Sequence, residues 1–338
     1  MRRHLRVAVV VLLMCLAVGG AAAYWWWQEA LAPVRSADTT EYTVQIPRGA
    51  STRAVAQLLY AQGLIRSELA FRLYARLNGL DGRLQAGEYR FRPAEDVPTI
   101  LRRLVEGDVV TYAFTIPEGY RVEQIVDLLV TLGYADRERL EEVLQDISYI
   151  EPYFAGDARV KQPLEGFLFP DTYRLTGDTS EEELVSAMVR RFKQVFTPEW
   201  EQRAAELGMS VYEVVTLASI IEKEARKPEE RPIIAAVYHN RLRRGMKLDA
   251  DPTVQYGLGK FEPLLYADLK IDTPYNTYLH PGLPPGPIAN PGRDSLYAAL
   301  YPADVDYLYF VACSDDGAHA FARTLKEQLR NIRRCRDK

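Results

Sequence analysis

The sequence has little that could hold a metal or run redox chemistry. Of 338 residues only three are cysteine and four histidine, and His4, His239, His280 and His319 are scattered. No Cys/His group has ligand spacing, so neither a metal nor another cofactor is expected. Basic runs are also scarce. The net charge is −4, and no long Lys/Arg run appears outside the closing NIRRCRDK. That tail reads as a solvated helix end, so nucleic acid is not an expected partner. With 48% hydrophobic and 26% charged residues the chain has material for two or three globular domains.

Charge is missing altogether from Val7 to Trp27. About 20 apolar residues cross a bilayer, so 7–27 reads as a transmembrane helix, with Trp25, Trp26 and Trp27 at one interface. Arg2, Arg3 and Arg6 precede it and nothing comparable follows closely. Residues 1–6 are therefore expected in the cytoplasm and the rest of the chain outside it. Ala21-x-Ala23 also resembles a signal-peptidase site, but the long apolar run ending in tryptophans favours an anchor. Cys15 lies in the span, and Cys313 and Cys335 are compatible with a bridge or with two free thiols.

After a polar linker at 28–41, a first α+β module is expected over 42–110. YTVQIPRGASTRAVAQLLY reads as a strand with Val44 and Ile46 inward, a Pro-x-Gly turn, and a helix packing Val55, Leu58 and Leu59. A second copy follows, with Pro117-Glu118-Gly119 at the place of Pro47-Arg48-Gly49 and Leu128-Leu129 at that of Leu58-Leu59. Between the copies, 84–91 reads as a strand and 97–107 as a helix. A second module over 111–200 is expected to be mostly helical beyond 136. Its interruption, LEGFLFPDTYRL at 164–175, sets Phe167, Phe169 and Tyr173 beside Glu165 and Asp171, where they can plug a core or line a groove.

The final domain, 201–338, is organised around SVYEVVTLASIIEKEA. Ser210 and Glu213 have capping-box spacing, and Val211, Val214, Val215, Ala218, Ile221 and Ala225 form one helical face. At 100° per residue Glu222 lies roughly 40° from the middle of that face, and Glu213 and Glu224 roughly 120° to 140° away. The pattern therefore directs Glu222 inward and leaves Glu224 in solvent. A carboxyl held among apolar groups keeps its proton more readily, as a general acid must. The plainer reading pairs Glu222 with Arg226 one turn on. Pro228 bars continuation, a second helix spans RPIIAAVYHNRLRRG with Asn240 on its packed face, and Asp251-Pro252 opens a short helix. The segment 273–292 is too rich in Pro and Gly for regular structure. SLYAALYP then reads as a helix, YLYFVAC as a buried strand and HAFARTLKEQLRNI as a closing helix.

ASIIEKEA, YHNRLRRGMKLDADPTVQYGLG, YNTYLHPGLPPGPIANPG and EGFLFPDTYRL together resemble the signature blocks of the endolytic murein transglycosylases. The resemblance covers nearly the whole chain; one departure, His280-Pro281 ahead of GLPP, falls at the expected cleft rim. It implies an α+β chain with a single N-terminal transmembrane helix in the inner membrane, LysM-like modules and a mixed α+β catalytic domain in the periplasm. It implies cleavage of nascent peptidoglycan glycan strands, with peptidoglycan synthases as partners. It places the catalytic carboxyl at Glu222. Asn276, Tyr278 and Gln255, and beside them Asn240 and Thr253, are candidates for binding substrate on their residue types and position, with core or loop packing as the plainer reading. Two rivals stand: an exported glycan-binding scaffold with a structural Glu222, and a muramidase-type hydrolase with Asp251 or Glu165 as second carboxylate.

Overall fold

The computed structural model describes residues 2–154, 156–313 and 317–336. Met1, the side chains of Arg2 and Arg3, and the end of the basic tail at 337–338 lie outside them. The chain divides into two compact units, 1–112 with 174–178, and 113–173 with 179–338.

The first unit begins with helix α1 (Arg2–Leu31), whose Val9–Leu31 stretch is long and apolar enough to cross a bilayer, as an anchor or a signal segment is. The expected polar linker starts later than 28, because the helix continues through two further apolar residues. Ala30 and Leu31 are buried, and Trp27 stacks on Tyr74 at 6.4 Å. Beyond it come β1 (Tyr42–Ile46), α2 (Thr52–Ala61), α3 (Glu68–Leu77), β2 (Gly87–Phe91) and α4 (Val97–Glu106). β1 and β2 pair antiparallel from Tyr42↔Phe91 to Ile46↔Gly87. Val44 and Ile46 alternate into a core with Val55, Leu59, Phe71, Tyr89, Phe91 and Leu104, while Leu58 packs at its edge. Each such large side chain, once enclosed, stabilises the unit by ~1.5–3 kcal/mol relative to exposure. The helix ends are set locally: Ser51 accepts from the Ala54 amide, Asp96 from the Thr99 amide, and Gly107 adopts the left-handed stop of α4. Helix α3 went unread in the sequence.

The repeated strand, turn and helix return as β3 (Tyr112–Thr115) and α5 (Val122–Thr131), the latter in the second unit. Gly49 and Gly119 both have φ of 74°, the conformation that admits glycine at such a turn. Next come α6 (Arg137–Val143) and β4 (Thr172–Leu175), which pairs with β3. The stretch between them is mostly turns, so 136–200 is less helical than expected. α7 (Glu181–Val195) and α8 (Pro198–Glu206) lead into α9 (Val211–Glu224), whose Ser210–Glu213 capping box forms as read. α10 (Arg231–Arg243), α11 (Asp251–Leu258) and α12 (Arg293–Leu300) surround it.

The unit closes with β5 (Tyr309–Ala312), β6 (His319–Ala322) and α13 (Leu325–Arg336). Two expectations are corrected here. β5 is only partly buried because it belongs to a two-stranded hairpin, and the start of HAFARTLKEQLRNI is a strand, since it pairs antiparallel with β5. Cys313 and Cys335 form a disulfide that ties α13 to this hairpin.

Candidate active site

α9 brings two glutamates, Glu222 and Glu224, to its C-terminal end in the second unit. From Val214 to Ile221 every residue is buried, including Thr216 and Ser219. Their hydroxyls are absorbed by the carbonyls of Tyr212 and Thr216, at 2.8 and 2.7 Å. A helix enclosed on all sides has no solvated face to predict from, and this bears on both glutamates that follow.

Glu222 is buried, with 7% of its side chain exposed, in agreement with its inward placement. Its partner is Arg231 at 3.5 Å, at the start of α10, rather than Arg226. The other carboxylate oxygen accepts from the Gly292 amide at 3.0 Å. Arg231 also lies 3.9 Å from Glu118 and 4.0 Å from Asp294. Burial, with Glu222 adding its charge, raises the Glu118 pKa above the ordinary value. Two backbone features hold this cluster close. The Glu118 carboxyl occupies the space a Cβ on Gly292 would need, and a Cβ on Gly119, in its left-handed turn, would lie 3.5 Å from Glu222. Lys223 donates to the Gly119 carbonyl at 3.3 Å.

Glu224 departs from expectation: it is not solvated. Tyr238, buried on α10, donates its hydroxyl to the Glu224 carboxyl at 3.0 Å. The residue keeps some solvent-accessible surface, so it is the carboxyl group that is enclosed. Burial pushes its pKa up to about 7, with the charge of Asp251 reinforcing the shift and the Tyr238 hydrogen bond opposing it. Asp251, exposed at the start of α11, accepts from the Tyr278 hydroxyl at 2.7 Å. Glu224, Tyr238, Asp251 and Tyr278 thus form one electrostatically linked group, which Glu224 and Asp251 reach from different elements.

The other candidates serve the framework. Asn276 is fully buried, donates to the Leu269 and Ile271 carbonyls, and accepts from the Tyr278 amide, so it shapes the loop that presents Tyr278. Thr253, also fully buried, bonds the Ala250 carbonyl and the Thr277 hydroxyl. Asn240 donates to the Val305 and Tyr307 carbonyls, which joins α10 to the strand region. Gln255 donates to the Glu262 carbonyl at the far end of α11 from Asp251. Of the five, Tyr278 alone is drawn to a carboxylate group. Glu165 is buried and accepts from the Val122 amide, the Tyr256 hydroxyl and Asn290, apart from the contacts made by Glu222 and Glu224. Sequence reasoning missed Tyr238, Arg231 and Glu118. Only Glu118 had a visible signal, since the repeat sets it opposite Arg48.

No group of three or more His, Cys, Asp or Glu able to hold a metal occurs among the described residues. A cavity of about 410 Å³ in this unit lies beside Glu165 and is lined by neither Glu222 nor Glu224.

The chain is 38% identical over 311 residues to the endolytic murein transglycosylase of Bacillus subtilis, covering 88% of this chain and 85% of that protein. It is 30% identical to the endolytic murein transglycosylase of Streptococcus pneumoniae D39, covering 90% of this chain and 60% of that one. A crystal structure of a yceG-like protein from Listeria monocytogenes aligns with a TM-score of 0.60 at 36% identity, over 86% of this chain and 99% of the other. The model of the YceG-like family matches residues 44–334, and the chain belongs to that family.

Proposed function

We propose that this protein is an endolytic murein transglycosylase, the activity for which its Bacillus and Streptococcus relatives are named. The bond cut is the β-1,4 link from N-acetylmuramic acid to N-acetylglucosamine, and the product is a 1,6-anhydro end that terminates the growing strand. The observation that carries the reading is the end of α9, where the Glu224 carboxyl is enclosed against the Tyr238 hydroxyl at 3.0 Å and coupled to Asp251. Burial pushes its pKa up to about 7, which suits a group that must give a proton and take one back.

In the reaction the acid proton passes to the glycosidic oxygen as the C1–O4 bond breaks. The resulting carboxylate takes the proton of the C6 hydroxyl of the same muramic acid, whose oxygen closes on C1. No water is consumed and the carboxyl is restored. Glu222, the residue the sequence pattern points to, is the alternative donor. It contacts Arg231 at 3.5 Å and the Gly292 amide at 3.0 Å. Testing Glu222→Gln and Glu224→Gln side by side on purified sacculi decides the assignment: loss confined to the first returns the role to Glu222.

A second reading rests on Asp251. A carboxylate coupled to Glu224 through the Tyr278 group is where a hydrolase would keep its base or nucleophile. Mass analysis of the fragments separates the two, since anhydro ends support the lytic reaction and reducing ends hydrolysis. Absence of fragments favours a binding scaffold. The apolar α1 fits a single-pass anchor with the catalytic unit in the periplasm, and the disulfide fits an oxidising compartment. On this reading the first unit is a LysM-like glycan-binding module, and peptidoglycan synthases are the partners that supply nascent strands.

A further inference from the structure

One cation of the second unit is half-buried and, among the described residues, has no anion at ion-pair distance. Arg121, just before α5, has its Nε buried without a hydrogen-bond partner. Its guanidinium lies 3.3 Å from the centroid of the Phe261 ring. Among the described residues it forms no hydrogen bond through its side chain and no ion pair. Burial draws its pKa below the usual arginine range, and Glu123 and Glu165 act on it only at a distance. A desolvated guanidinium normally sits against a carboxylate or phosphate, whose two oxygens match its planar fork.

The missing partner has room. Arg121 lines a cavity of about 410 Å³, within the size range of small-molecule sites. The other groups facing it are Glu123, Glu141, Lys161, Glu165 and Tyr256. Three of these are engaged elsewhere. The Lys161 amine caps the Tyr256 and Gly257 carbonyls at 3.1 and 2.6 Å, Tyr256 donates to Glu165, and Glu141 pairs with Arg137. Burial pushes Glu165 up to about 8, so it is mostly neutral at pH 7 and does not cancel Arg121. What remains is Arg121 on the wall and Glu123, which forms no ion pair with it, exposed at the rim.

We infer that this cavity binds a zwitterionic amino-acid head, its carboxylate on Arg121 and its ammonium on Glu123. The unpaired guanidinium calls for an anion, and the rim carboxylate disfavours a multiply charged one such as phosphate. Murein peptide branches carry heads of this kind, so the site would recognise the peptide of a strand while α9 acts on its sugar. That use rests on the proposed murein activity; the binding chemistry does not.

The test is calorimetry on the full chain in detergent with three probes: meso-diaminopimelate, which has two such heads, pimelate, which has the carboxylates alone, and inorganic phosphate. Diaminopimelate is expected to bind at least tenfold more tightly than either of the others. Arg121→Gln should weaken it at least tenfold, and Glu123→Gln, on an exposed side chain, should remove the preference over pimelate. Failure of diaminopimelate to bind, equal binding of phosphate, or indifference to both substitutions overturns the inference. Glu224→Gln protein should bind the probe unchanged. Binding that depends on Arg121 in a chain that cuts no murein would refute the proposed function and leave this site standing. Cleavage without such binding would do the reverse.

Discussion

Glu222 and Glu224 stand two residues apart on one helix, and their surroundings are opposite. Glu222 faces Arg231 and a backbone amide, with Glu118 and Asp294 completing a charged cluster. Glu224 faces a phenol and the field of another carboxylate. The first setting offers a cation and a backbone donor, and burial makes a charge unwelcome in the second. Depth alone therefore does not assign a catalytic acid, because what matters is which protonation state the neighbours accommodate.

The sharpest way to break this contrast is to remove each carboxyl in turn. Glu224→Gln is expected to lower strand cleavage by about 10²–10⁴-fold, the usual contribution of a general acid, with an unchanged melting temperature or a higher one. Glu222→Gln should leave most activity in the protein that folds and show its cost in the melting curve. Equal losses of activity would mean that the two sites act as one.

Arg231→Gln comes next. It leaves Glu222 without its cation in a largely enclosed place and should destabilise the second unit by about 3 kcal/mol in denaturant titration. A third test uses pH. Glu165 and Glu224 are both held above the ordinary 4.5, so the folded chain binds their protons more tightly than the unfolded chain does. Their contribution to stability is complete below pH 4.5 and is lost as pH rises through about 7 for Glu224 and about 8 for Glu165. Cleavage should decline over the same upper range as Glu224 loses its proton. Tyr238→Phe removes the bond that favours the charged form, so this limb should move to higher pH. A shift to lower pH would contradict the assignment.

The smallest effects come from the repeated turn. Gly49→Ala and Gly119→Ala meet the same backbone strain at φ of 74°, about 1–2 kcal/mol. The first has open space beside it and the second touches Glu222 and Lys223. Both should lose similar stability, and a change in cleavage should follow the second alone.

Local rules reached far into this molecule. The cap at Ser210, the turn glycines, the alternation of Val44 and Ile46 and the inward course of Glu222 all depend on neighbours a few residues away, and all were legible. Glu224 was not, because its placement on a helical wheel presumes a wet side that α9 lacks. Tyr238 comes from another helix, and nothing in RPIIAAVYHN marks its hydroxyl as the partner. Asn276 reads as a ligand group because it is polar in a Pro/Gly-rich region, although such a region needs internal hydrogen bonds to keep any shape at all. The hairpin at the C-terminus was misread for a related reason, since two four-residue strands support each other only by pairing.

That hairpin has a last consequence. α13 buries none of its side chains, and two amides, from Gln328 and Asn331, reach the Phe310 and Phe321 carbonyls. A sulfur–sulfur link across 22 positions does what a greasy seam does elsewhere, limiting how far the tail can wander once it lets go. The residues on its outer surface are thereby released from any duty to pack, and their spelling is free to drift.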